Sequence, residues 1–243
     1  MKNKAFIIAE VGTMHGGSVE VAKYLIKEIK DTGADAVKLQ MWTKPFVKKT
    51  DELWQFFEDH QLSLEDFKTL YEYGKEIGIE VFASVFDKES ADYLEGLGVK
   101  RWKIASRTLK DDKRLFVYIL GKEGIKYIST GMSDIPDIDL ALGTGDDDVI
   151  MHCVSKYPVP DKEANLSRIN DLMLKLGTTK IGYSDHTVGI DACINARAMG
   201  AIVIEKHIRA DHSSKDHPDY SCSIPPELFK IMVAKIRRLE KMY

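Results

Sequence analysis

Short apolar runs alternate along the chain with amphipathic segments, and the alternation persists from the first residues to the last. The runs read as strands at Phe6–Val11, Ala36–Gln40, Glu80–Val85, Arg101–Ser106, Lys126–Thr130, Val149–Val154, Lys180–Ser184 and Ile202–Ile208. Apolar stretches of that length, separated by helical patterns, mark repeated βα units around a parallel sheet. Eight is the number that closes a (β/α)8 barrel. The intervening segments have helix starts to match. Ser18 precedes Val19–Ile29, and Ser63 precedes a helix with Leu64, Phe67, Leu70 and Tyr71 on one face. A helix over Ser90–Leu97 stops at Gly98, and Asp134 or Asp137 caps a helix after the fifth strand. Pro225-Pro226 opens a terminal helix through Lys241. The outlier is Met41–Leu62, carrying Trp42, Trp54, Phe56 and Phe57. It is long for a βα loop and reads as a lid or as an exposed aromatic surface facing a partner.

The chain length of 243 residues is that of one such barrel, so the expected organisation is a single TIM-barrel domain over residues 1–243 with no second domain. An open doubly wound sheet is the competing α/β architecture. Its dinucleotide fingerprint is missing, because the glycines of Gly12-Thr13-Met14-His15-Gly16-Gly17 lack the required spacing. A net charge of −3 offers nothing to nucleic acid or to an anionic membrane. Cys153, Cys193 and Cys222 are odd in number and far apart, which argues against a disulfide framework or a thiolate zinc site. No run approaches the roughly 18 apolar residues of a membrane span. The amino-terminal apolar run is too short for a signal peptide, so a cytoplasmic location is expected.

Barrel strands are buried on both faces and should be almost continuously apolar. Here Glu10, Lys38, Lys103, Glu205 and His207 interrupt them. A buried unpaired charge costs several kcal/mol, so each needs a partner or a polar cavity. All lie toward strand C-termini, where this fold builds its active sites. The hydroxyls Ser84, Ser106, Ser129, Thr130, Ser155 and Ser184 follow at the same level. Lysines with convergent hydroxyls suit a small anion such as a phosphate. Taken singly, a strand-end lysine is more often a structural ion pair than a ligand; the convergence of many such positions reverses that and points to a site.

His186 follows strand seven and His207 ends strand eight, which are neighbours in a barrel, so the two imidazoles are close enough to share a divalent metal. Imidazole with oxygen donors suits manganese, iron, cobalt or zinc better than calcium. Glu205 lies on the same side of its strand as His207 and is expected to hold a metal-bound water. His152 reads as a satisfied interior histidine, and His60, His212 and His217 as loop or surface residues. Asp219, in the polar loop after strand eight, is within reach of a substrate.

These residues fall in ordered blocks: Phe6-Ile-Ile-Ala-Glu-Val-Gly, Gly33-Ala-Asp-Ala-Val-Lys-Leu-Gln, Lys103-Ile-Ala-Ser, Ile128-Ser-Thr-Gly-Met, His152-Cys-Val-Ser-Lys-Tyr-Pro, Gly182-Tyr-Ser-Asp-His-Thr and Glu205-Lys-His. Together they cover nearly the whole chain, which resembles the catalytic domain of the N-acetylneuraminate (sialic acid) synthase family. The resemblance implies a metal-dependent condensation of phosphoenolpyruvate with a sugar aldehyde, N-acetylmannosamine or a related 2-acetamido hexose. The products implied are a nonulosonic acid and phosphate. It implies a metal on His186 and His207, manganese foremost, with magnesium or cobalt as alternatives. It surrounds phosphoenolpyruvate with Lys38, Ser84, Lys103, Ser106, Ser129, Ser155 and Ser184. Glu10 and Asp219 then face the sugar, and Glu10, Lys38, Lys103 and Asp219 carry the chemistry.

Three departures from the family pattern stand out. The usual Ser-Gly-Glu after strand four is Ser106-Arg107-Thr108, which removes a carboxylate and adds an arginine that can reach the sugar. Met14 and Ser155 stand where the family has asparagines. The family's C-terminal antifreeze-like domain, which caps a partner's barrel, has no counterpart up to Tyr243: it is missing, supplied by another chain or outside this sequence, and together with the aromatic loop this leaves a homodimer or a separate capping chain as the partner expectation. The lost carboxylate keeps a second reading open, a binding or regulatory barrel, and the strand-end lysines a third, a Schiff-base aldolase through Lys38 or Lys103.

Overall fold

The computed structural model describes residues 4–133, 145 and 147–242. Eight parallel strands close a barrel in sequence order, each paired with the next and β8 with β1. They are β1 (Phe6–Gly12), β2 (Ala36–Met41), β3 (Glu80–Val85), β4 (Arg101–Ile104), β5 (Ile125–Ser129), β6 (Val149–His152), β7 (Ile181–Asp185) and β8 (Val203–His207). All eight expected strands are present, β3 at the expected bounds and the other seven with bounds moved by one or two residues. Nearly every strand position is buried. That is the physical reason the strands are written in Ile, Val, Leu and Ala and must be read as runs instead of alternations.

Around the barrel lie α1 (Val19–Lys30), α2 (Trp54–Asp59), α3 (Leu64–Ile77), α4 (Lys88–Gly96), α5 (Ser106–Asp111), α6 (Lys113–Leu120), α7 (Arg168–Leu176), α8 (Asp191–Ala198) and α9 (Pro226–Glu240). α1 turns Ala22, Leu25, Ile26 and Ile29 inward, and α9 turns Phe229, Met232, Val233 and Ile236 inward, in the 3–4 spacing of one helical face. Ser18 caps α1, accepting from Val21 N. Ser63 and Asp66 form a reciprocal capping box on α3. The fourth helix is a correction. It starts at Lys88, capped by Asp87, and Ser90 is a buried residue inside it. Asp87 also accepts from Thr43 N and Oγ1, so a tertiary tie holds the capping residue as well. The expected caps Asp134 and Asp137 lie outside the described residues.

The stretch between β2 and α3 is not an outward aromatic surface. Trp42 is buried, with the rings of Phe46, Phe57 and Phe86 packed around it, and its indole N–H donates to Phe57 O at 3.2 Å. The segment folds back over the C-terminal end of the barrel and forms one wall of the mouth. Among the described residues, no helix is long and apolar enough to cross a membrane.

Candidate active site

A cavity of about 530 Å³ opens at the C-terminal ends of the strands. Every residue expected at the site except Thr130 lines it, Arg107 and Asp219 included. Strand register brings the charges into one layer. Glu10 sits opposite both Lys38 and His207, Ser84 opposite Lys103, and Ser184 opposite Glu205. Lys38 Nζ stands 3.0 Å from Glu10 Oε2, 3.1 Å from Ser84 Oγ and 3.6 Å from Glu205 Oε1. Lys103 Nζ lies 2.6 Å from the same Glu205 oxygen, to which Ser184 Oγ also donates at 2.9 Å. Two lysines and two glutamates thus form one buried chain of alternating charge, which offsets the cost of taking each out of water.

Their environments pull the four groups apart. Burial pushes Glu10 up to about 7, against the pull of Lys38, so it holds a proton part of the time at neutral pH. Burial acts the same way on Glu205, but Lys103 and Lys38 together overcome it and hold that carboxyl well below the usual range. Burial also opposes the charge on both lysines. Glu10 and Glu205 outweigh it at Lys38, which is raised, whereas Lys103 is lowered because Glu205 offsets it only in part. Glu10 is the group suited to proton transfer, and Glu205 is a fixed anion.

A second cluster lies across the mouth. Gly131 N–H donates to Ser106 Oγ at 2.9 Å, and Cys153 Sγ is 3.3 Å from the same oxygen. A Cβ on Gly131 would stand 2.6 Å from Ser155 Oγ and 2.9 Å from Cys153 Sγ, so only glycine leaves this hydroxyl-lined cradle open. Arg107 places its guanidinium 5.3 Å from the Phe46 ring at the rim. Thr130 is no part of the cradle; its hydroxyl is buried and donates to Met151 O.

The histidine edge is the third cluster. The rings of His186 and His207 are 5.3 Å apart, with Tyr157 packed 4.2 Å from His186. His186 Nδ1 pairs with Val154 O at 2.7 Å, which orients the ring and leaves Nε2 its lone pair. Burial lowers His186 to about 4 and His207 well below its ordinary value, so both are neutral imidazoles, the form that binds metals. His207 Nδ1 is buried with no hydrogen-bond partner, 3.6 Å from Asp219 Oδ2. With His207 neutral, that approach is not an ion pair. An orphaned imidazole nitrogen beside a carboxylate fits a divalent ion. Glu205 Oε1 is engaged with the two lysines and Ser184, leaving only Oε2 without a partner.

Several participants were absent from the sequence reading. Gln40 Nε2 donates to Glu10 Oε1 at 3.1 Å; its position two residues after Lys38, on the same strand face, is the signal that would have found it. His217 is half-buried, pairs with Thr13 Oγ1 at 3.0 Å and packs on His60, so neither is a plain surface residue, whereas His212 is exposed. Phe46, Phe56 and Phe57 line the cavity from a segment whose return no local pattern foretells.

A family model described as the NeuB family matches residues 25–243. An uncharacterized protein of Methanocaldococcus jannaschii is 41% identical over 98% of this chain and 71% of its own length. The N,N'-diacetyllegionaminic acid synthase of Legionella pneumophila is 36% identical over 97% of this chain and 72% of its own. Among solved structures, an N-acetylneuraminic acid (sialic acid) synthetase from Leptospira borgpetersenii superposes with a TM-score of 0.88 at 30% identity, covering 99% of this chain and 85% of that one.

Proposed function

This chain belongs to the NeuB family, and on that premise we propose that it condenses phosphoenolpyruvate with the open-chain aldehyde of a 2-acetamido hexose, yielding a nonulosonic acid and phosphate. The observation that carries the reading is the meeting, in one cavity, of an anion-binding lysine and serine layer with a pair of neutral histidines. Lys38 and Lys103 attract and orient phosphoenolpyruvate, with Ser84, Ser129 and Ser184 beside them. The Ser106, Gly131 and Ser155 cradle takes the phosphate. His186 and His207 hold the divalent ion, manganese foremost, and Asp219 stands at the same edge. When bound, that ion supplies Lewis-acid polarisation of the acceptor's carbonyl oxygen. Carbon 3 of phosphoenolpyruvate bonds to the aldehyde carbon, and Glu10 gives the oxygen its proton. Water then adds at carbon 2; one of its protons replaces, through solvent, the proton that Glu10 gave, and the other leaves on the phosphate as the bond between carbon 2 and the phosphate oxygen breaks to give the ketone.

One feature favours a second reading. Thr108 stands in place of the family's carboxylate and is buried in α5, so no acid from that position enters the cavity. A binding or regulatory barrel would keep the anion seat without turnover. The deciding measurement is phosphate release from phosphoenolpyruvate with manganese across a panel of 2-acetamido hexoses, with EDTA and His207→Ala controls. Metal-dependent release with one sugar, lost in the variant, is the expected result. Phosphoenolpyruvate binding without release from any sugar would replace the synthase reading with the binding one.

A further inference from the structure

We infer that Cys222 is a thiolate ligand of the metal, joining His207 and Asp219, and that the site is thereby biased toward borderline ions such as zinc, ferrous iron or cobalt. The inference rests on the metal part of the reading above and changes its ligand set: His207 is common to both, Asp219 and Cys222 join it, and His186 is not among the three donors gathered there.

The placement of Cys222 is built by backbone pairing. After β8 the chain leaves the barrel and returns. Ile224 N donates to His207 O at 3.0 Å, Arg209 N donates to Ile224 O at 3.1 Å, and Ile208 and Ile224 form a parallel bridge. Ser223 Oγ donates to Asp219 O at 2.7 Å, closing the short turn between them. Cys222, fully buried, is thereby set beside the last residue of β8. One donor atom from each of His207, Asp219 and Cys222 lies within 4.8 Å of the other two.

A second, independent observation points to an ion there. His207 Nδ1 is buried and has no hydrogen-bond partner, although it stands 3.6 Å from a carboxylate oxygen. Buried polar atoms are satisfied by protein, water or ion, and a neutral imidazole nitrogen with a carboxylate and a thiol around it has the donor chemistry of a metal site. An ion bonded to nitrogen, oxygen and sulfur at about 2.0–2.3 Å holds its donors roughly 3.3–3.8 Å apart. The His207–Asp219 separation already meets that spacing. The sulfur needs an approach of at most about 1.3 Å, against a single weak S–H bond to Asp219 O at 3.2 Å. Binding replaces the S–H proton, which leaves to solvent, by a sulfur–metal bond. Sulfur is a poor ligand for magnesium and a good one for zinc, cobalt and ferrous iron, which gives the site its bias.

The test is a cobalt(II) titration of the full chain after chelator treatment, followed by absorption spectroscopy. The expected result is a near-ultraviolet thiolate-to-cobalt charge-transfer band alongside the visible ligand-field bands. Cys222→Ser should lose the first and keep the second, while Cys153→Ser keeps both. Zinc should compete against manganese less well in Cys222→Ser than in the parent protein. Ligand-field bands without a charge-transfer band in the parent, or a charge-transfer band surviving in Cys222→Ser, would overturn the assignment of Cys222 alone. No cobalt uptake by the parent would overturn the metal centre of the proposed function together with it. If Cys222→Ser fails to fold, a parent without the charge-transfer band still overturns the assignment, and a band that survives in both Cys153→Ser and Cys193→Ser still assigns it to Cys222.

Discussion

Lys103 shows what one side chain has to do in this barrel. Its ammonium is buried and meets Glu205 at 2.6 Å, and Glu205 in turn serves Ser184 and Lys38. Removing one member of such a pair leaves the other buried without compensation, which costs more than the pair contributes. Lys103→Met should therefore lower unfolding free energy by about 3–5 kcal/mol in urea titrations. Lys103→Met combined with Glu205→Leu should recover a large part of that loss while phosphate release stays absent. A double variant no more stable than the single one would mean that packing, not charge, holds this layer. Arg107 makes a different demand. It is exposed at the cavity rim and stacked on Phe46, where it can reach an acceptor but not the buried layer. Arg107→Ala should raise the acceptor KM roughly tenfold, the worth of one charge-assisted hydrogen bond, with the KM for phosphoenolpyruvate unchanged. An unmoved acceptor KM would exclude it from sugar binding.

At the scale of elements, caps and strand ends decide where side chains stand. The box of Ser63 and Asp66 satisfies donors at both ends of its reciprocal bond and starts α3 just after the segment that walls the cavity. Ser63→Ala should cost about 1 kcal/mol by thermal or urea unfolding. A loss much below that would show that tertiary packing of Phe67 and Leu70 sets the start of α3. The α3 cap was readable because Ser, then Asp three residues on, is a local signal that needs no partner. The start of α4 was not, because Asp87, which caps it, is also held by Thr43, forty-four residues away in sequence. Strand four is shorter than its apolar run for a related reason. Ile104 ends the ladder, and Ser106 opens α5, which turns its hydroxyl toward Gly131.

For the molecule as a whole, burial of neutral histidines sets the response to acid. His15 is buried and lowered to about 4, by burial first and then by neighbouring His60. His152 is lowered as well, again chiefly by burial. Between pH 4 and the unfolded value of 6.5 the unfolded chain binds more protons at His15 than the folded one. Stability from this group is complete above 6.5 and is lost as pH falls toward 4, by on the order of 3 kcal/mol. Glu10 acts in the opposite sense. Its folded value of about 7 exceeds the ordinary 4.5, so its contribution declines as pH rises between them. Among the described residues more histidines are lowered than carboxyls, Glu10 and Asp219, are raised, so net stability should fall on acidification from 6.5 to 4. His15→Gln should flatten that slope in urea titrations run across the range. An unchanged slope would assign acid sensitivity to the other buried histidines.

The chain by itself determined the barrel and the identity of the residues at its mouth. Strands buried on both faces must be written as apolar runs, so Glu10, Lys38, Lys103, Glu205 and His207 stood out as charges where no charge belongs without a partner. Only the closed barrel decided who those partners are. Glu205 and Lys103 are 102 residues apart, and nothing local says that they share a hydrogen bond; strand order and register do. The same holds for the aromatic wall that folds back from β2, and for Cys222, a lone cysteine in sequence that the return of the chain after β8 sets beside His207 and Asp219. Local chemistry is legible in sequence because it depends on residue type and spacing. Partnership across the barrel is not, because it depends on closure, which exists only once all eight strands have met.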